Sequence, residues 1–209
     1  MNKQAILWIV GVLVFVLLMV GVYFLFQNLS GMFGADSQLA TVNEENNPLK
    51  GKTEGNKSEA PTNADGEKAE VSAKAVPDFT VYDGAGNACK LSDCFGKPIV
   101  LNLWASWCAP CKNEMPGFQQ MYEKYGDQVQ FLMVNVTGID KADDAKAFIK
   151  ETGYSFPVYF DTDNSMAANY YAGSVPMTYF IGSNGELVTY ATGAIPADTL
   201  EQGISMTLE

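Results

Sequence analysis

The chain has 209 residues, and 13 basic against 24 acidic side chains leave it at −11, with arginine and histidine both absent. That balance excludes nucleic-acid binding, which needs clustered positive charge to neutralise phosphates. Without histidine there is no Ser-His-Asp triad, no Cys-His dyad and no imidazole metal ligand, and Lys112 stands where a covalent haem motif needs histidine.

Residues 5–26, AILWIVGVLVFVLLMVGVYFLF, carry no charge. As a helix they would span roughly 33 Å, enough to cross a hydrocarbon core of about 30 Å. The apolar region of a cleaved signal peptide is shorter, about 7–15 residues. Lys3 and the amino terminus precede the run and no lysine follows until Lys50. The positive-inside rule therefore leaves the N-terminus in the cytoplasm and the rest of the chain outside. Residues 1–27 read as a cytoplasmic stub and transmembrane anchor. Residues 28–75 are polar and poor in aromatics, and read as a disordered linker that cannot bury enough apolar surface to offset ordering entropy. Residues 76–209, about 134 in number, suffice for one domain with its own core.

Within that domain DFTVYD (78–83) alternates as a strand, GAGN (84–87) turns, and ACKL (88–91) returns. PIVLNLWA (98–105) is a continuous apolar run, as in a strand buried on both faces. Met115, Phe118, Met121, Tyr122 and Tyr125 then recur at helical spacing, with Gly126 as the stop. VQFLMVNV (129–136) is a second buried strand, KADDAKAFIKETG (141–153) a helix ending at Gly153, PVYFD (157–161) extended, and SMAANYYAG (165–173) a short helix. PMTYFIG (176–182), SNGE and LVTYAT (187–192) make a hairpin, and the last fourteen residues look helical. Strands alternating with helices and closing on an antiparallel hairpin predict an α/β layered domain.

The chemistry centres on WASWCAPCKNE (104–114). Cys108 and Cys111 lie where a buried strand ends and a helix begins, and Pro110 fits the first helical turn, where its missing N–H costs nothing. Free N–H groups and the positive end of the helix dipole would favour the Cys108 thiolate. Two cysteines three apart can close into a disulfide and reopen, with Cys108 as the exposed attacking sulfur and Cys111 as the shielded resolving one. Two other readings stand beside this. The spacing of Cys89, Cys94, Cys108 and Cys111 comes near that of a four-cysteine zinc site, and the cysteines could simply fill the core.

The stretch LSDCFGKPIVLNLWASWCAPCKNEMP, with Asn102, Trp104, Ala105, Trp107, Cys108, Pro110, Cys111 and Glu114, resembles the TlpA/ResA-like branch of the thioredoxin superfamily. The likeness continues through FPVYFDTDNSMAANYYAGSVPMTYFIGSNGELV and covers roughly residues 76–205. It implies a thioredoxin-like fold, a central mixed sheet flanked by helices, and a membrane-anchored, extracytoplasmic thiol–disulfide oxidoreductase with no cofactor beyond its redox-active Cys108–Cys111 disulfide. It further implies a cis Val175–Pro176 bond beside the dithiol, with the Val175 backbone open to a substrate strand. Glu114 would modulate cysteine ionisation, although a solvated acid favouring the helix dipole is the plainer alternative. Trp107 would cover the disulfide or merely pack, and Trp104 would lie in the core. The implied partners are oxidised exported proteins, such as apocytochrome c or methionine sulfoxide reductase, and a membrane thiol-electron transporter of the CcdA/DsbD type. Cys89 and Cys94 depart from the family pattern, which holds apolar residues there. Five residues apart across a bend, they are expected to form a structural disulfide, the alternative being two buried thiols. A peroxiredoxin-like peroxide reductase and a non-catalytic soft-metal or zinc-binding module remain as alternatives for the whole. The first lacks the arginine that polarises peroxide.

Overall fold

A computed structural model describes residues 8, 18–20, 39–43, 45–49 and 75–209. The predicted transmembrane run falls almost wholly outside these residues. No described helix is long and apolar enough to cross a membrane.

The compact unit Gln38–Glu209 is built on one sheet. Its strands are β1 (Leu39–Thr41), β2 (Thr80–Asp83), β3 (Ala88–Lys90), β4 (Ile99–Trp104), β5 (Gln130–Asn135), β6 (Val158–Phe160), β7 (Met177–Ile181) and β8 (Leu187–Thr192). They lie in the order β1-β8-β7-β4-β5-β6-β2-β3. β4 pairs parallel with β5 and antiparallel with β7, so the sheet is mixed. The predicted apolar run becomes the central strand because all six residues of β4 are buried. Its side chains alternate between two cores. Val100 and Trp104 face one, and Ile99, Leu101 and Leu103 face the other.

The first core is covered by α1 (Ala109–Tyr125), α2 (Ala142–Thr152) and α4 (Ala197–Leu208). α1 contributes Met115, Phe118 and Met121, and α4 contributes Leu200 and Ile204. The β4-α1-β5 and β5-α2-β6 crossovers step the same way across the sheet, so the right-handed rule sets both helices on one face. α2 ends at Gly153 with φ 70°, a conformation that suits glycine, whereas Gly126 closes α1 in right-handed geometry. The opposite core is covered by the single turn α3 (Ala167–Tyr170), by Val76, Phe79 and Leu91, and by Val42 and Leu49.

Those last two residues correct an expectation. Part of the stretch read as disordered linker, residues 28–75, is ordered against the domain. Leu39, Ala40 and Thr41 pair with Ala191, Tyr190 and Thr189 of β8. Thr189 Oγ1 donates to the Ala40 carbonyl at 2.9 Å and the Tyr190 hydroxyl to the Asn46 carbonyl at 3.1 Å. Asparagine side chains at 43, 46 and 47 bond back to nearby N–H groups and turn the chain so that Leu49 reaches the core. Two apolar anchors and an unpaired β8 edge outweigh the polar composition.

Candidate functional site

β4 delivers the dithiol to the edge of the first core, and α1 begins on it. Cys108 is the N-cap of α1, its Sγ accepting from the Cys111 backbone N–H at 3.2 Å, with Pro110 in the first turn. The expected free donors therefore do face this sulfur. Cys108 and Cys111 are joined in a disulfide, with Cα atoms 5.3 Å apart. Cys111 is fully buried and Cys108 is only 4% exposed, so the attacking sulfur is the more open of the two but far less open than expected.

Val175–Pro176 is cis, and the Val175 carbonyl oxygen lies 3.7 Å from Cys108 Sγ. The backbone of the residue before the proline is thus at the sulfur itself. Trp107 is 61% exposed and donates its indole N–H to the Ile139 carbonyl at 2.9 Å. It projects beside an open groove of about 370 Å³ shared with Gly138, Asp140, Lys141 and Asp144. Trp104, by contrast, is a core residue with no exposure.

Glu114 lies one turn beyond Cys111 on the same face of α1. It is not the solvated acid of the plainer reading, being 6% exposed. Its Oε1 accepts from Asn102 Nδ2 at 2.9 Å and its Oε2 from the Ile195 N–H at 3.0 Å. Burial pushes its pKa up to about 7, against the two hydrogen bonds that favour the carboxylate. A carboxyl balanced between its two forms near neutrality, one helical turn from a resolving cysteine, can accept or return a proton.

Asn102, Thr178 and the Ile195 backbone were not singled out from the sequence as site groups. Asn102 Nδ2 also reaches Thr178 Oγ1 at 3.0 Å, which ties β4, β7 and α1 together at the carboxylate. The available signal was one polar residue inside the apolar run IVLNLW. A second unforeseen group is Asp140, which accepts from the Ser106 hydroxyl at 2.8 Å and from Asn135 Nδ2 at 2.7 Å. Burial opposes its ionisation, but bonds from Ser106, Asn135 and Lys141 outweigh that and hold it below the ordinary carboxylate range. It fixes the loop that carries Trp107.

Cys89 and Cys94 are a correction. They form no disulfide; their thiols are free, with the sulfurs 3.7 Å apart. They pack against the second core, whereas Cys108 and Cys111 lie in the first, so the sheet separates the two pairs. A four-cysteine zinc site is therefore ruled out by placement. Among the described residues no cluster of three or more His, Cys, Asp or Glu is arranged to hold a metal ion.

A dithiol at a helix N-terminus, one sulfur shielded, facing a cis-proline on a mixed α/β sheet, defines a thioredoxin-like thiol–disulfide oxidoreductase. Comparison with known proteins narrows this. The AhpC/TSA family profile matches residues 72–190. The ResA thiol–disulfide oxidoreductase of Geobacillus kaustophilus is 36% identical over 143 residues, covering 68% of this chain and 81% of that protein. Its namesake in Oceanobacillus iheyensis is 38% identical over 132 residues, covering 61% and 68%. A crystal structure described as the thiol:disulfide interchange protein DsbE of Chlorobium tepidum superposes with a TM-score of 0.59 at 34% identity, over 65% of this chain and 96% of that one. The chain belongs to the AhpC/TSA family, among its ResA- and DsbE-type thiol–disulfide oxidoreductases.

Proposed function

We propose that this enzyme is a membrane-anchored, extracytoplasmic reductase of protein disulfides. The Cys108–Cys111 pair, with Cys111 sealed and Cys108 set against the Val175 carbonyl, carries the reading. In the reduced enzyme the Cys108 thiolate attacks one sulfur of a substrate disulfide, and the other sulfur leaves as a thiolate and takes a proton. The substrate chain is held meanwhile by main-chain pairing at Val175 beside Pro176. Cys111, giving its proton toward Glu114, then attacks Cys108 Sγ and releases the second substrate thiol. Two electrons pass to the substrate, and the enzyme is left in the disulfide form.

A membrane thiol-electron transporter of the CcdA/DsbD type would return those electrons, and apocytochrome c or an exported methionine sulfoxide reductase would receive them. The uncharged run 5–26 supports the anchor, and Lys3 supports the orientation. The peroxide-reducing alternative has no arginine anywhere in the chain to polarise its substrate.

The deciding experiment is a redox titration of the full chain with mass trapping of Cys108 and Cys111. A potential near or below about −270 mV supports a reductase, and one near −120 mV makes it an oxidase of folding proteins. Absence of a reversible disulfide on this pair would overturn the redox reading altogether.

A further inference from the structure

The free cysteines on the far side of the sheet are placed for chemistry of their own. Cys89 lies on β3, the edge strand of the sheet, and Cys94 is the last residue of the 3-10 helix Leu91–Cys94 that follows it. Their sulfurs sit 3.7 Å apart, in van der Waals contact, and both residues are part-exposed. A disulfide of about 2.05 Å would bring the two sulfurs closer than this contact by about 1.6 Å. Tyr159 of β6 packs against the same core cluster. Cys94 Sγ also lies 3.7 Å from the Lys90 carbonyl oxygen, which offers its thiol proton an acceptor.

We propose that Cys89 and Cys94 are a second thiol–disulfide couple, distinct from the catalytic one, with Cys89 as the attacking sulfur and Cys94 as the resolving one. The contact with Cys94 favours the Cys89 thiolate, against burial and the nearby charges of Asp93 and Asp83. The same contact, followed by burial, raises the pKa of Cys94. The Lys90 carbonyl beside Cys94 Sγ favours the thiol form there, which leaves Cys89 to attack first. The Cys89 thiolate attacks an external disulfide, forming a mixed disulfide and expelling one thiolate, which is protonated. Cys94 then loses its proton to solvent and attacks Cys89 Sγ, expelling the second thiolate. Two protein thiols become one disulfide, and the external disulfide becomes two thiols. Because the sheet lies between the couples, they exchange electrons with outside partners independently rather than with each other.

The test uses the full chain carrying Cys108→Ser and Cys111→Ser, equilibrated with glutathione and glutathione disulfide, then alkylated and weighed. The expected result is a cooperative passage from two alkylated thiols to none, reversed by dithiothreitol, without a lasting glutathione adduct. Adding Cys94→Ser should strand one glutathione on Cys89. Cys89→Ser instead should slow adduct formation at Cys94 at least tenfold. Two thiols that stay alkylatable at every ratio in the folded chain would overturn the proposal. So would a stable double adduct, or equal capture by the two cysteines.

Discussion

Glu114 and Asn102 face each other across the first core, Oε1 accepting from Nδ2 at 2.9 Å, with the acid on α1 and the amide on the central strand. The pair holds a titratable carboxyl one helical turn beyond Cys111 while leaving Asn102 Oδ1 buried without a hydrogen-bond partner. The acid is thus held in position but not fully stabilised as an anion.

This has a consequence for stability. The pKa of Glu114 in the folded chain, about 7, lies above its ordinary value of 4.5. Between those values the folded chain keeps a proton that the unfolded chain has released, so stability falls as pH rises through the window. The loss is complete above about pH 7 and amounts to about 3 kcal/mol. Glu114→Gln removes it. Its amide can be met by a flipped Asn102, whose Oδ1 is otherwise unpartnered. Urea titrations at pH 4.5 and pH 8 should show wild type losing about 3 kcal/mol relative to the variant across that interval. Parallel pH profiles would refute the assignment.

Asn102→Ala takes away one of the two donors that favour the carboxylate, leaving only the Ile195 N–H. The midpoint of Glu114 should move upward, read from the pH dependence of its side-chain carboxyl carbon resonance, and the fold should lose about 1–3 kcal/mol. A midpoint that stays put or falls would show that burial alone sets it.

The parts of this fold that could be read in advance are those whose cause is local. The apolar run at Ile99–Trp104, Pro110 at the start of α1 and Gly153 at the end of α2 each act within a few residues. What escaped depends on partners far along the chain. β1 is a strand because β8, about 150 residues later, offers it an edge. Glu114 is buried because Asn102 lies 12 residues before it and Ile195 lies 81 after it. The dithiol was legible because its helix start and its spacing are adjacent in sequence. The cis Val175–Pro176 beside it, 67 residues on from Cys108, was legible only through the family resemblance, and the depth to which Cys108 is buried there was not legible.

Gly203 reverses a common rule. In a helix interior glycine to alanine normally stabilises by about 1 kcal/mol. Here an added methyl would run into the ring of Phe180, itself fully buried on β7. Gly203→Ala should cost about 1–3 kcal/mol through overpacking, measured as a lower urea midpoint at unchanged slope. A stabilised variant would mean that α4 can slide away from the sheet at no cost.

Leu49 tests whether the ordered segment before the domain contributes to its stability. It is 2% exposed among Val42, Val76 and other residues of the second core. Leu49→Ala should cost about 2–5 kcal/mol and speed amide exchange in β8, whose edge the segment covers. A variant with wild-type stability would return this stretch to the status of a passive tether.

The division of labour between the catalytic sulfurs can be separated by trapping. Serine at 111 leaves the backbone N–H that supports Cys108 Sγ in place but removes the only thiol positioned to resolve a mixed disulfide. In a background with Cys89→Ser and Cys94→Ser, so that any adduct belongs to the catalytic pair, Cys111→Ser should accumulate one substrate or glutathione molecule on Cys108. Its turnover in insulin reduction should fall at least 100-fold. Cys108→Ser should give no adduct on the native chain, because Cys111 has no access to solvent, and its thiol should alkylate only after denaturant is added. Equal trapping at both positions would mean that α1 opens enough to expose Cys111. The order of attack would then be set by motion of the helix rather than by burial in the folded state.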